Sequence, residues 1–273
     1  TQPFIDDQVP YAYTLGNHDD TGDLNRKQIV ALDETCEYSL RSQSEGIDGT
    51  ANFFVPIYAS QNSSQLAANV WVLDSGSYGC EGVDTGYGCI ESDVVDWYNE
   101  QSQNIKDEHG TNVHHLAYFH IALPEWVTLI NYDPIYGTME EEICCPVVNT
   151  GIFAAAKQNG DITAMFVGHD HENDFGGWLD GIELAYGRKS GYHTYGDRYG
   201  ARVVVLKENY DSDGNLYVTG EHYIVDVSGS IESTTSVAYQ TAITQKQCKS
   251  GNSLFSQIQM IIVIVFVLLC LLL

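Results

Sequence analysis

The sequence predicts a mixed β-sheet sandwich flanked by helices, of the α+β or α/β class. Helical and strand patterns alternate through the first part of the chain, while hairpins dominate its later part, a mixture that excludes a simple parallel fold. A length of 273 residues with 44% hydrophobic content is enough to fill a core of that kind.

Taken in order, "VPYAYTL" reads as a buried strand cut short by "GNHDD". The next stretch places Leu24, Ile29, Leu32, Cys36 and Leu40 near helical spacing, with Asp23 in the first turn. "ANFFVPIYA" and "NVWVLDSG" are β-rich runs on either side of a polar loop at Asn62, the pattern of a hairpin. "ESDVVDWYNEQSQNIK" gives Val94, Trp97, Tyr98 and Ile105 one helical face, with Ser92 as its cap. "VHHLAYFH" is a strand that ends at "IALPEW", where Pro124 stops regular pairing. Residues 131–146 carry proline, glycine and three consecutive glutamates and read as a long surface loop. "NTGIFAAAKQNG" is a helix stopped by Gly160, and "DITAMFVGHDH" is a strand that runs into two histidines. "ARVVVLKEN" and "LYVTGEHYIVDV" pair through "YDSDGN" as a hairpin.

Three segments result: a folded unit over 1–227, a serine-, threonine- and glutamine-rich stalk over 228–253, and an apolar terminus over 254–273. That terminus, "MIIVIVFVLLCLLL" with its approach from Leu254, reads either as the signal for a glycosylphosphatidylinositol anchor or as a C-terminal membrane helix. With the sequon at Asn62, it points to a secretory route and a cell-surface or luminal, membrane-associated protein. Cys80 and Cys89 bracket a glycine-rich loop that a disulfide would close. Of the adjacent Cys144 and Cys145, either can pair with Cys36 or Cys248, or stay free.

The balance of 37 acidic against 12 basic residues gives a formal charge of −25, which repels nucleic-acid phosphates over most of the surface. A small phosphate is still accessible to such a chain if bound cations reverse the local potential. Three apolar runs end in short polar clusters: "YTLGNHDD" at Asn17 and His18, "LAYFH" at His120, and "MFVGHDH" at His169 and His171. Strand ends are rigid mounts for ligands carried on loops, so three of them can gather one amide oxygen and several imidazoles around metal ions. A glycine before two of the clusters permits a tight turn and a close backbone approach.

At "GNHD", "FH" and "GHDH", in that order, the chain resembles the calcineurin-like metallophosphoesterases, and "LDSG", "YFHIALPEW", "VNTGIF" and "FVGHDHENDFGG" are similar to the small purple acid phosphatase-like branch. The likeness runs from about Ala12 to Val205. It implies an αββα sandwich and a metal-dependent phosphoesterase, acting on phosphate monoesters of small molecules through two metal ions drawn from iron, zinc and manganese. Carried over motif by motif, Asn17, His120 and His169 would bind one ion and His171 the other. His18 would stabilise phosphoryl oxygens or protonate the leaving alkoxide, with Asp19 orienting it. The family's upstream Asp-x-His and Gly-Asp motifs have no counterpart before Gly16. The expectation is therefore a fragment of a complete enzyme; the alternative is a surface-anchored binding or structural protein that keeps the fold without the chemistry.

Among the remaining candidates, Arg188, Tyr192 and His193 in the glycine-rich "GRKSGYHTYG" stand as a substrate mouth or as packing. Asp170, Glu172 and Asp174 are partners of the imidazoles or an acidic surface loop. His114 and His115 alternate on a strand and read as structural or solvated, and His109 and His222 read as surface residues.

Overall fold

The computed structural model describes residues 2–42, 44–232 and 245–250. The apolar terminus lies outside the described residues, as does most of the predicted stalk. Among the described residues no helix is long and apolar enough to cross a membrane.

After α1 (Gln2–Asp6) and α2 (Arg26–Asp33) come β1 (Phe53–Ala59) and β2 (Asn62–Val72), then the small hairpin β3 (Tyr78–Cys80) and β4 (Val83–Tyr87). The central part comprises α3 (Ser92–His109), β5 (His114–Tyr118), α4 (Glu125–Tyr132), β6 (Ile135–Tyr136), α5 (Ile152–Asn159) and β7 (Ile162–Val167). The remaining strands are β8 (Gly176–Leu179), β9 (Ile182–Tyr186), β10 (Gly200–Tyr210), β11 (Leu216–Asp226) and β12 (Ile231–Glu232). Seven strands form one sheet in the order β1-β2-β5-β7-β9-β8-β6, and β10-β11-β12 form a second.

In the large sheet β2, β5, β7 and β9 run parallel, with antiparallel pairs at both edges. Parallel strands need crossovers, and α3 and the α4–α5 segment supply them. One face of the sheet carries the larger core, where Trp71, Tyr98, Phe119, Trp126 and Phe153 pack with the helices. The other face holds Val70, Leu116, Tyr118 and Phe166 together with Val204 of β10, so the second sheet stacks there. This is the mixed sandwich with a helical layer that the alternation predicted.

Several local expectations change. "VPYAYTL" is buried and extended but forms no strand: Tyr11 makes one isolated bridge to Ser39, while Tyr11, Tyr13 and Leu15 pack on Val30. The helix predicted from Leu24 to Leu40 shrinks to eight residues, because Asn25 and Gln28 form a capping box that starts it at Arg26. Asp23 therefore precedes the helix, and Leu32 is 61% exposed. Ser92 is the first residue of α3, with Glu91 in the cap position.

Residues 131–146 are no surface loop. β6 pairs with β8, and Ile143 and Cys145 are fully buried. The predicted stalk ends on the same spot: Cys145 is disulfide-bonded to Cys248, and buried Gln245 accepts from the Ile143 amide at 2.7 Å and donates to its carbonyl at 2.8 Å. His222 is likewise no surface residue, since its Nε2 lies 2.9 Å from Glu183 and its Nδ1 2.8 Å from Arg202, between the two sheets.

His115 belongs to a buried polar knot that ties α3 to the sheet. Trp71 Nε1 donates to its Nδ1 at 3.0 Å, and Tyr98 and Ser102 donate to the neighbouring Asp161. Burial pushes the His115 pKa down to about 4, so the folded protein holds it neutral. An unfolded histidine titrates near 6.5, so between about 4 and 6.5 the unfolded chain binds the extra proton and stability falls as the pH is lowered. We expect urea midpoints to drop between pH 7 and pH 4.5, with His115 contributing up to about 3 kcal/mol. His115→Gln should flatten that part of the slope; an unchanged slope would contradict the assignment.

Candidate metal centre

The site sits at the carboxyl ends of adjacent parallel strands, where an open sheet presents its loops to a ligand. The hydrogen-bond ladder continues past the strand ends and fixes the loops there. Leu73 N donates to Tyr118 O at 2.9 Å, Phe119 N to Phe166 O at 3.2 Å, and Gly168 N to His120 O at 3.0 Å. His120 thus leaves β5 and His169 leaves β7 in neighbouring positions. Asn17 arrives from outside the sheet, on the extended segment that Thr14 ties to the end of β2 through a 2.7 Å bond to Leu73 O.

Asn17 Oδ1, His120 Nε2 and His169 Nδ1 converge. The amide oxygen is 2.9 Å from His120 and 3.2 Å from His169, and the two ring nitrogens are 3.3 Å apart. The approach is tight: a Cβ on Gly16 would lie 3.1 Å from the His120 ring, which explains the glycine in "GNHD". His169 adopts φ 73°, a left-handed conformation that costs a non-glycine residue energy. Burial lowers all three imidazole pKa values, that of His120 well below the ordinary range, His169 to about 3 and His171 to about 4. Each ring is therefore neutral near pH 7 and carries a free lone pair.

His171 stands beside this cluster. Its Nδ1 is 2.7 Å from Thr194 Oγ1 and its ring stacks on Tyr195 at 4.3 Å, which leaves Nε2 as the remaining donor nitrogen. His18 is exposed, edge-on to Tyr78 at 6.5 Å. Asp19 is buried and accepts from Gly16 N at 2.6 Å, so it closes the turn that carries Asn17. Desolvation raises its pKa to about 6 despite that bond and nearby Arg26.

The structure does not gather the predicted substrate mouth. Arg188 is buried, with Nε, Nη1 and Nη2 all bonded to Asp174 and Glu232, so its charge is already neutralised by two carboxylates. Tyr192 is exposed and packs on Tyr199, and His193 is exposed in the same loop. Asp174 serves Arg188, and Asp170 accepts from Cys144 N at 3.0 Å and Tyr186 at 2.6 Å. Neither belongs to a solvated acidic loop.

Sequence reasoning missed the loop after β2, the segment "LDSGSY". Asp74 binds Arg26, whose guanidinium also donates to Gly16 O at 2.8 Å. Ser75 Oγ accepts from Ile121 N at 3.0 Å, and Ser77 Oγ donates to Asn17 O at 2.8 Å. One loop thereby braces both the Asn17 and the His120 segments. Its signal was a fourth apolar run ending in a polar, glycine-containing cluster.

A ring nitrogen of His169 also lies within 4.8 Å of Cys144 Sγ and an Asp170 oxygen. Burial pushes the Cys144 thiol up to about 12, so without a metal it stays protonated.

The donor chemistry fits a metal ion. One amide oxygen and two neutral imidazole nitrogens, mutually about 3 Å apart, match one side of a cation's coordination sphere, and imidazole with an oxygen donor suits zinc, iron or manganese. His120 Nδ1 and His169 Nε2 are buried without a partner, an unusual cost for two polar atoms at one place in a fold.

The chain has relatives of known family. In Arabidopsis thaliana, the protein named probable inactive purple acid phosphatase 29 is 33% identical over 230 residues, which are 78% of this chain and 59% of that protein. The one named probable inactive purple acid phosphatase 28 is 32% identical over 210 residues, 71% of this chain and 53% of its own length. Phosphatase DCR2 of Saccharomyces cerevisiae is 29% identical over 192 residues, 63% of this chain and 32% of its own. The chain spans a little over half the length of those plant proteins. No protein-family model matches it. Ordered motifs, a mixed sheet with its clustered strand ends, and these relatives agree: the chain belongs to the purple acid phosphatase-like branch of the calcineurin-like metallophosphoesterases.

Proposed function

We propose that the protein hydrolyses phosphate monoesters of small molecules at a metal centre built on Asn17, His120, His169 and His171. The observation that carries this reading is the convergence of Asn17 Oδ1, His120 Nε2 and His169 Nδ1. These three would hold one cation and His171 would serve the second. Bound cations would neutralise the phosphoryl oxygens and supply an activated water. His18, exposed next to Asn17, faces the bound ester and protonates the departing alkoxide. Asp19 acts through the backbone, holding the Gly16–Asn17 turn rather than the imidazole. Elsewhere the formal charge of −25 repels the anionic substrate, so binding depends on the cations. The domain carrying this activity is the unit over 1–227. Two disulfides and an exposed Asn62 sequon support a secretory location. Membrane attachment through the terminus over 254–273 belongs to the same reading.

A second reading has its own support, since three plant relatives bear the words "probable inactive" in their names. In that case the fold serves binding rather than turnover. The protein in its full natural length, supplied with zinc, iron or manganese, separates the two. We expect hydrolysis of p-nitrophenyl phosphate that a chelator removes and metal restores. Phosphate binding without turnover under any of the three metals would establish the second reading.

A further inference from the structure

We propose that the disulfide-closed hairpin β3–β4 is the positioning element of this centre, with the Tyr78 hydroxyl anchoring the Asn17 side-chain amide and the adjacent Ser77 its main chain. The inference rests on the reading of Asn17 Oδ1 as a metal donor, and it goes beyond that reading by naming what holds the donor in place.

A side-chain amide is nearly symmetric in shape, so packing alone does not distinguish its oxygen from its nitrogen. A half-turn of the Asn17 amide would bring its NH2 group against His120 Nε2 and His169 Nδ1. The donor set for a cation would then be lost. On the far side of the amide, Asn17 Nδ2 donates to the Tyr78 hydroxyl at 3.3 Å, a contact that restrains the side chain. A phenolic hydroxyl both accepts and donates, so this contact anchors the amide in either orientation, and it is a bound cation that favours the oxygen end. The adjacent Ser77 fixes the Asn17 main chain through its 2.8 Å bond to the carbonyl.

The hairpin reaches a second ligand as well. Tyr78 pairs with Tyr87 across the strands and stacks on it at 5.9 Å, and Tyr87 meets the His169 ring edge-on at 4.4 Å. Its closure is built in. Cys80 and Cys89 are disulfide-bonded, and Gly88 N donates to Ser77 O at 3.0 Å. A Cβ on Gly88 would stand 2.6 Å from Ser75 O and 2.7 Å from Ser77 N, so only glycine lets the hairpin base lie on the loop that grips Asn17.

Tyr78 is 52% exposed, so core burial does not account for where its ring sits. Tyr78→Phe should therefore keep the fold while removing only the acceptor for Asn17 Nδ2. Groups that orient metal ligands are worth about 10–100-fold in metal affinity.

The test uses the full chain with 15N-labelled asparagine, without metal. In the wild type the two Asn17 Hδ2 protons should give separate, slowly exchanging signals; in Tyr78→Phe their exchange should accelerate about 2–10-fold, the worth of one hydrogen bond. Replacing both Cys80 and Cys89 by serine should produce the same loss. Equal protection of the Asn17 amide in wild type and Tyr78→Phe would overturn the assignment. Cobalt titration then links the amide to the metal, with Kd expected to rise about 10–100-fold in Tyr78→Phe. A wild type that shows the amide signature but binds no cobalt would overturn the metal reading of the site while supporting the positioning role of Tyr78.

Discussion

His169→Gly is expected to abolish metal binding and reduce kcat/KM by at least about 100-fold, as loss of an essential metal ligand does, while lowering the stability of the fold by only about 2 kcal/mol. The two effects separate because His169 is held against local preference. Its φ of 73° is the region that glycine occupies freely, and relief of that conformation returns about 1 kcal/mol. Its Nε2 has no hydrogen-bond partner to lose. Against this, the variant gives up the edge-on contact with Tyr87, worth about 0.5–1.5 kcal/mol. The variant also loses the 5.1 Å ring contact with His120 and the 3.2 Å contact of Nδ1 with Asn17, and glycine adds a backbone entropy cost of about 0.5–1 kcal/mol, so the net loss is about 2 kcal/mol and the melting temperature should fall by several degrees. Strain kept where the ring nitrogens converge is the mark of a residue retained for chemistry. Isothermal titration with zinc, together with calorimetric melting, checks both halves. Wild-type metal affinity in His169→Gly would remove this residue from the centre.

Arg188→Met has the opposite profile: a large loss of stability with no change in KM for a phosphate ester. The guanidinium donates to Asp174 and Glu232, and Asp174 is buried. Removing one partner of a buried pair leaves a desolvated charge, which costs about 3–5 kcal/mol. Arg198, 3.2 Å from Asp174, recovers part of this, so the expected cost is about 3 kcal/mol. A substrate-binding arginine would behave otherwise, raising KM while the urea midpoint stayed put. Measuring both quantities on one variant decides between the roles.

Much of the architecture was legible because it rests on patterns with few alternatives. Apolar runs that end in a glycine and polar residues mark strands whose ends are loaded, and parallel pairing of β2, β5 and β7 then aligns those ends. This is why His120 and His169 could be grouped from sequence alone, while Asn17 joined them through its polar "GNHD" cluster, since the segment before it is no strand. What escaped was long-range and depended on geometry. "VPYAYTL" has strand composition, yet its edges are tied by Thr14 and Tyr11 to separate partners, so no ladder forms. Gln245 and Cys248 sit in a polar stretch whose composition suggests solvent, and only the meeting with Ile143 and Cys145 draws them inward. Arg188 looked available because sequence shows a cation but not the carboxylates folded against it. Ser77 and Tyr78, just before the Cys80–Cys89 loop, carried no reading at all, since nothing in their own stretch reveals that it ends on Asn17.

The central claim is that an amide oxygen and two imidazole nitrogens, delivered by separate loops, share one cation. Crystals of the full-length protein grown with zinc, with anomalous scattering recorded at the zinc edge, test it most directly. The account predicts one peak within about 2.2 Å of Asn17 Oδ1, His120 Nε2 and His169 Nδ1 together. No peak at that point, or an Asn17 amide that presents its nitrogen to the two rings, would contradict it.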